Sequence, residues 1–106
     1  MSNWIDIAAL EDIPVRGARV IKTQAGCVAV FRTIEDRVFA IDDTCPHKQG
    51  PLNDGMVHGN SVTCPLHNLV INLETGISAD GESRVNTYEI MVKQGRILLD
   101  STRLAA

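Results

Sequence analysis

No apolar run in this 106-residue chain comes near the twenty residues that a membrane-spanning helix needs, so no membrane span is expected. No ten-residue stretch carries a strong helical period, which argues against a helical core. The first residues, Met1-Ser2-Asn3-Trp4-Ile5-Asp6, lack a basic region and an apolar signal core, so a cytoplasmic location is expected. There is no glycine motif of the kind that cradles phosphate, hence no nucleotide site. Positive charge is not in excess: the net charge is −3, which makes nucleic acid an unsuitable partner. Cysteine is sparse, and three Cys in a cytosolic chain argue for metal chemistry over a disulfide framework.

What the chain does have is short apolar runs with turn residues between them. Trp4-Ile5-Asp6-Ile7-Ala8 alternates as a strand does, and Pro14 stops any helix at the bend that follows. Residues 17–23, 27–32 and 37–41 read as three strands of an antiparallel meander, turning at Ala25-Gly26 and Glu35-Asp36. Residues 69–73 read as a further strand. Residues 87–93 and 96–100 read as a closing hairpin about Gln94-Gly95. One helical turn is expected within residues 50–55. Residues 42–51 are too polar and too rich in Gly and Pro for an element, and residues 79–83 form an acidic loop. With no repeat or linker, the reading is one all-β domain over residues 1–106: a small antiparallel sandwich or barrel, with two loops at one end.

Those loops carry the chemistry. The first holds Cys45-Pro46-His47 and the second Cys64-Pro65-Leu66-His67, with sixteen residues between His47 and Cys64. Each arm offers one thiolate and one imidazole, which is a metal-ligand pattern. A zinc finger usually opens with two Cys and closes with two His, whereas here Cys and His alternate between the arms. Mononuclear zinc is the plainer alternative. A Cys45–Cys64 disulfide would leave both His without a role.

Cys-x-His, a gap in the mid-teens and Cys-x-x-His together resemble the Rieske family. That resemblance implies a [2Fe–2S] cluster, with Cys45 and Cys64 on one iron and His47 and His67 on the other. It also implies a β base with a cluster-binding part over residues of about 43–73. Two neutral imidazoles in place of two thiolates remove two negative charges, so adding an electron costs less. High-potential respiratory members add two Cys that staple the loops, and a Ser and a Tyr near the second His. Gly50 and Leu66 stand at the Cys positions here, and Asn68, Leu69 and Ile71 fill the other region. The resemblance therefore implies a potential near the bottom of the Rieske range, about −150 mV.

Within that family, Cys45-Pro46-His47-Lys48-Gln49-Gly50-Pro51-Leu52, Met56-Val57-His58-Gly59 and residues 62–76 closely resemble small subunits of NAD(P)H-dependent nitrite reductase. Asp12-Ile13-Pro14 followed by Gly17-Ala18-Arg19-Val20 does so too. Departures are Leu69, where relatives often carry Trp, and residues 79–83, which lack the proline that shields the cluster in many members. The resemblance implies a large-subunit partner bearing FAD, a [4Fe–4S] cluster and sirohaem, which reduces nitrite to ammonia. This chain would have no substrate-turnover site of its own. The ferredoxin component of a ring-hydroxylating dioxygenase system is the alternative of the same size.

The remaining polar and apolar residues receive plainer readings. Cys27, inside an apolar strand, reads as a buried structural thiol. His58 reads as a solvated turn residue, Asp42 and Asp43 as solvated loop residues, and Trp4 and Tyr88 as packing.

Overall fold

A computed structural model of the chain describes residues 4–23, 26–43, 52–64, 69–79, 81 and 83–100. The described residues form three antiparallel sheets. The central one is a meander of β2 (Ala18–Thr23), β3 (Gly26–Arg32) and β4 (Val38–Asp42). The short β8 (Thr87–Tyr88) adds to its β4 edge. The second joins the ends of the described chain: β1 (Trp4–Ala9) pairs β10 (Arg96–Asp100), which pairs β9 (Ile90–Lys93). The third is built from β5 (Met56–His58), β6 (Ser61–Thr63) and β7 (Val70–Asn72).

The central sheet is covered on both faces, and the alternation of its side chains shows how. Along β3, Ala29 and Phe31 point into one apolar cluster while Val28 and Val30 point into another. Their register partners on β4 follow suit: Ile41 lies opposite Ala29 and Ala40 opposite Val30. Successive strand residues face opposite sides, so a strand buried on both faces reads as a continuous apolar run. That is why Val28, Ala29, Val30 and Phe31 are all buried. The even-numbered face packs on the β1–β10–β9 sheet through Ile97 and Leu99, with Ile13 between. The odd-numbered face packs on the third sheet through Val57, Val62 and Ile71, with Leu52, Leu73 and Val85.

Turn chemistry agrees with the sequence where it is strongest. Gln94 and Gly95 both take positive φ, 53° and 77°, the conformation a two-residue hairpin loop requires. One turn of 3-10 helix covers Leu52–Asp54, where a helical turn was expected, and another covers Leu10–Asp12. The ion pair between Arg96 and Asp6, at 2.8 Å, ties β10 to β1. Hydrogen bonds from Arg96 hold the Asp6 carboxyl below the usual carboxylate range. Among the described residues no helix is long and apolar enough to cross a membrane.

Two expectations need correction. Residues 87–93 are not one arm of a hairpin. Glu89 separates β8, which pairs with β4, from β9, which pairs with β10. The run turns the corner between two sheets, with Tyr88 and Ile90 packed against the same cluster. Strands β5 and β6 were not foreseen, because three residues each, Met56-Val57-His58 and Ser61-Val62-Thr63, are too few to show an alternation.

Candidate metal centre

Cys64 is the one proposed ligand inside the described residues, and it is fully buried. It follows directly on β6, whose middle residue, Val62, faces the same cluster. Leu52, Val57, Ile71, Leu73, Phe31 and Ile41 complete its surroundings, so water is kept from that side of the site. The Cys64 N–H donates to the carbonyl of Leu69 at 2.7 Å, which closes the base of the second arm. His67, and Cys45 and His47 on the first arm, lie outside the described residues.

The base of the first arm is described, and it is tied from both ends. The Asp43 N–H donates to the carbonyl of Cys27 at 3.1 Å, and the Leu52 N–H donates to the carbonyl of Asp43. Beyond the arm, the chain passes over β6 at Gly55. A Cβ there would lie 2.5 Å from the Thr63 carbonyl oxygen and 2.7 Å from a Val62 methyl. Only a residue without a side chain permits that approach. The exit of the first arm therefore rests on the backbone just before Cys64, so both arms leave from one place.

Several plainer readings change. Asp43 is buried, not solvated. Its carboxylate accepts from the Asn53 N–H at 2.8 Å and from the Asn53 amide at 2.8 and 2.9 Å. Asp42 belongs to β4 and accepts from the Tyr88 hydroxyl at 2.6 Å and the Asn86 N–H at 3.0 Å. Tyr88 thus combines packing with a hydrogen bond. Cys27 is exposed, because the core ends at Val28 and Gly26–Cys27 projects beyond it. His58 is exposed as expected, at the end of β5, with its Nε2 2.7 Å from the Thr63 hydroxyl. Trp4 is more than a third exposed, at the start of β1.

The proposed donor set is of a kind that an iron–sulfur centre accepts. Two thiolates and two imidazoles, one of each per arm, are what a mixed-ligand [2Fe–2S] cluster takes. A sulfur buried among aliphatic side chains, as at Cys64, is also protected from solvent.

Comparison with known proteins agrees. The model of the Rieske-like [2Fe-2S] domain family matches residues 3–100. The anthranilate 1,2-dioxygenase ferredoxin subunit of Burkholderia cepacia is 34% identical over 103 residues, covering 92% of this chain and 91% of that protein. The ferredoxin component of the naphthalene 1,2-dioxygenase/salicylate 5-hydroxylase systems of a Ralstonia species is 29% identical over 99 residues, covering 92% and 94%. Among solved structures, the Escherichia coli protein NirD, a nitrite reductase small subunit, superposes with a TM-score of 0.81. It is 30% identical, with 93% of this chain and 96% of that one covered. The expectation of an all-β, Rieske-type fold is borne out.

Proposed function

Because this chain belongs to the Rieske-like [2Fe-2S] domain family, we propose that it is the electron-transfer small subunit of an NAD(P)H-dependent nitrite reductase. It carries its cluster on Cys45, His47, Cys64 and His67. In this reading residues 1–106 are one domain, residues of about 43–73 form its cluster-binding part, and the protein works in the cytoplasm. When bound, the cluster takes up and gives back one electron. The chain's own residues hold it, bury one of its sulfur donors and leave nitrite to a large subunit with FAD, a [4Fe–4S] cluster and sirohaem.

The observation that carries electron transfer is the placement of Cys64. It is fully buried directly after the core-packed β6, beside the backbone on which the exit of the first arm rests. What supports the nitrite reductase branch is the ligand segment quoted above and the near full-length likeness to NirD at 30% identity. A second reading has an observation of its own. The curated sequence relatives are mainly ferredoxin components of ring-hydroxylating dioxygenase systems, up to 34% identical. In that reading the partner is an oxygenase.

Reconstitution separates the two. The chemically reduced chain is mixed with a sirohaem-bearing large subunit and nitrite, and in parallel with an oxygenase component and an aromatic substrate. Nitrite reduction is expected to need both the chain and the large subunit, and the chain alone is expected to leave nitrite untouched. Turnover by the oxygenase mixture, with no complex formed with the sirohaem subunit, would move the assignment to the dioxygenase ferredoxin.

A further inference from the structure

The first arm is closed at its base by a side chain as well as by backbone. Both carboxylate oxygens of Asp43 engage Asn53 on the far side of the arm: Oδ1 accepts from the Asn53 N–H and from Nδ2, and Oδ2 accepts from Nδ2. The backbone of Asp43 is fixed independently, by its N–H on Cys27 of β3 and its carbonyl under the Leu52 N–H. Asp43 is thus anchored to the central sheet and grips the residue at which the chain returns. The closure described for the second arm is the backbone bond between Cys64 and Leu69.

We propose that Asp43 and Asn53 are positioning residues for the iron–sulfur centre. Their carboxylate–amide clamp sets the separation of the ends of the first arm, and with it the placement of the donors at Cys45 and His47. The proposal rests on the ligand reading given above.

A loop whose ends are already held together has met its closure entropy before metal arrives, so the donors bind as a prepared pair. Asp43 stands two residues before Cys45, a span of about 7 Å at most, so a shift of one is passed to the other. A buried carboxylate that accepts both from a backbone N–H and from a side-chain amide is held at two points of one residue, so it has little freedom to take another arrangement.

The test uses the cluster-loaded chain and four variants: Asp43→Ala, Asn53→Ala, Asp43→Asn and Cys45→Ser. The rate at which a strong iron chelator bleaches the cluster is measured, together with the EPR spectrum of the reduced protein and the unfolding of the cluster-free chain. Asp43→Ala and Asn53→Ala are expected to lose iron faster than the parent, on the order of 10-fold, the lower end of the affinity loss that follows removal of a group supporting a metal ligand. Their g values are expected to shift. Asp43→Asn keeps one acceptor oxygen for Asn53 and is expected to fall between them and the parent. A merely structural role would lower the stability of the cluster-free chain and leave the g values of the remaining cluster unchanged. Parental release rates and spectra in both alanine variants would overturn the proposal. Should Asp43→Ala not fold, Asn53→Ala decides, since that variant keeps the backbone N–H that donates to the carboxylate. Cys45→Ser separates the two levels. If it keeps its cluster, the ligand reading falls and the clamp with it. If it loses its cluster while the alanine variants behave as the parent, only the clamp falls.

Discussion

Cys64→Ser is expected to leave the protein without its cluster, while Cys27→Ser leaves iron and sulfide at the parental level. The three cysteines of the chain make a comparison within one molecule. The Cys27 side chain is exposed on β3, outside the buried cluster that encloses Cys64. Cys64 is fully buried directly after β6, in the cluster that also holds Leu52, Val57 and Ile71. In the proposed ligand set it supplies one of the two thiolates on the iron that has no imidazole, and a serine hydroxyl is a poor replacement there. Burying a hydroxyl in this apolar setting costs about 1–3 kcal/mol unless it finds a partner, so the cluster-free chain is expected to melt lower, by about 4 °C or more, but still cooperatively. Iron and sulfide assays on the purified variants check this. A Cys64→Ser protein with the parental iron and sulfide content would remove Cys64 from the ligand set.

Gly55→Ala is expected to cost much more stability than Gly59→Ala, although the two glycines flank the same short strand. At Gly55 a methyl would lie 2.5 Å from the Thr63 oxygen, 2.7 Å from a Val62 methyl and 3.0 Å from the Leu52 oxygen. Two of these are backbone atoms, which cannot turn aside as a side-chain end can. Either β6 or the turn at Leu52–Asp54 has to move, and overpacking of this kind costs about 3 kcal/mol. The strain falls next to Cys64, so cluster content is expected to drop with stability. At Gly59 the φ is 56° and a methyl would meet nothing within 4 Å. The cost there is confined to holding alanine in the left-handed region, about 1 kcal/mol. Denaturant unfolding of the two variants gives both numbers, and equal losses would mean that the crossing at Gly55 is not tight.

The sheets were legible where a continuous apolar run filled both faces of a strand. Val28 to Phe31 and Val38 to Ile41 have that property, and the meander follows from them. The proposed ligand arms stand out in the sequence through paired Cys and His and through the family resemblance, and of their four donors only Cys64 lies inside the described residues. Asp43 was not legible. Its partner, Asn53, is ten residues away beyond a polar loop, and nothing local distinguishes a carboxylate that closes a loop from one in solvent. Cys27 was misplaced for a related reason: an apolar strand shows that a core exists but not at which residue it stops. The break at Glu89 depends on which neighbours β8 and β9 find, and those neighbours are set by tertiary packing.

The central claim is that a pair of thiolates and a pair of imidazoles hold one [2Fe–2S] cluster and that this cluster passes single electrons. Pulsed EPR on the reduced protein, grown with nitrogen-labelled histidine, tests it most directly. The account predicts two irons and two sulfides per chain, a signal of low average g, and coupling to two histidine nitrogens that disappears in a His47→Ala, His67→Ala double variant. Stoichiometric zinc in protein made with ample iron, or a reduced cluster with no histidine nitrogen coupling, would contradict it.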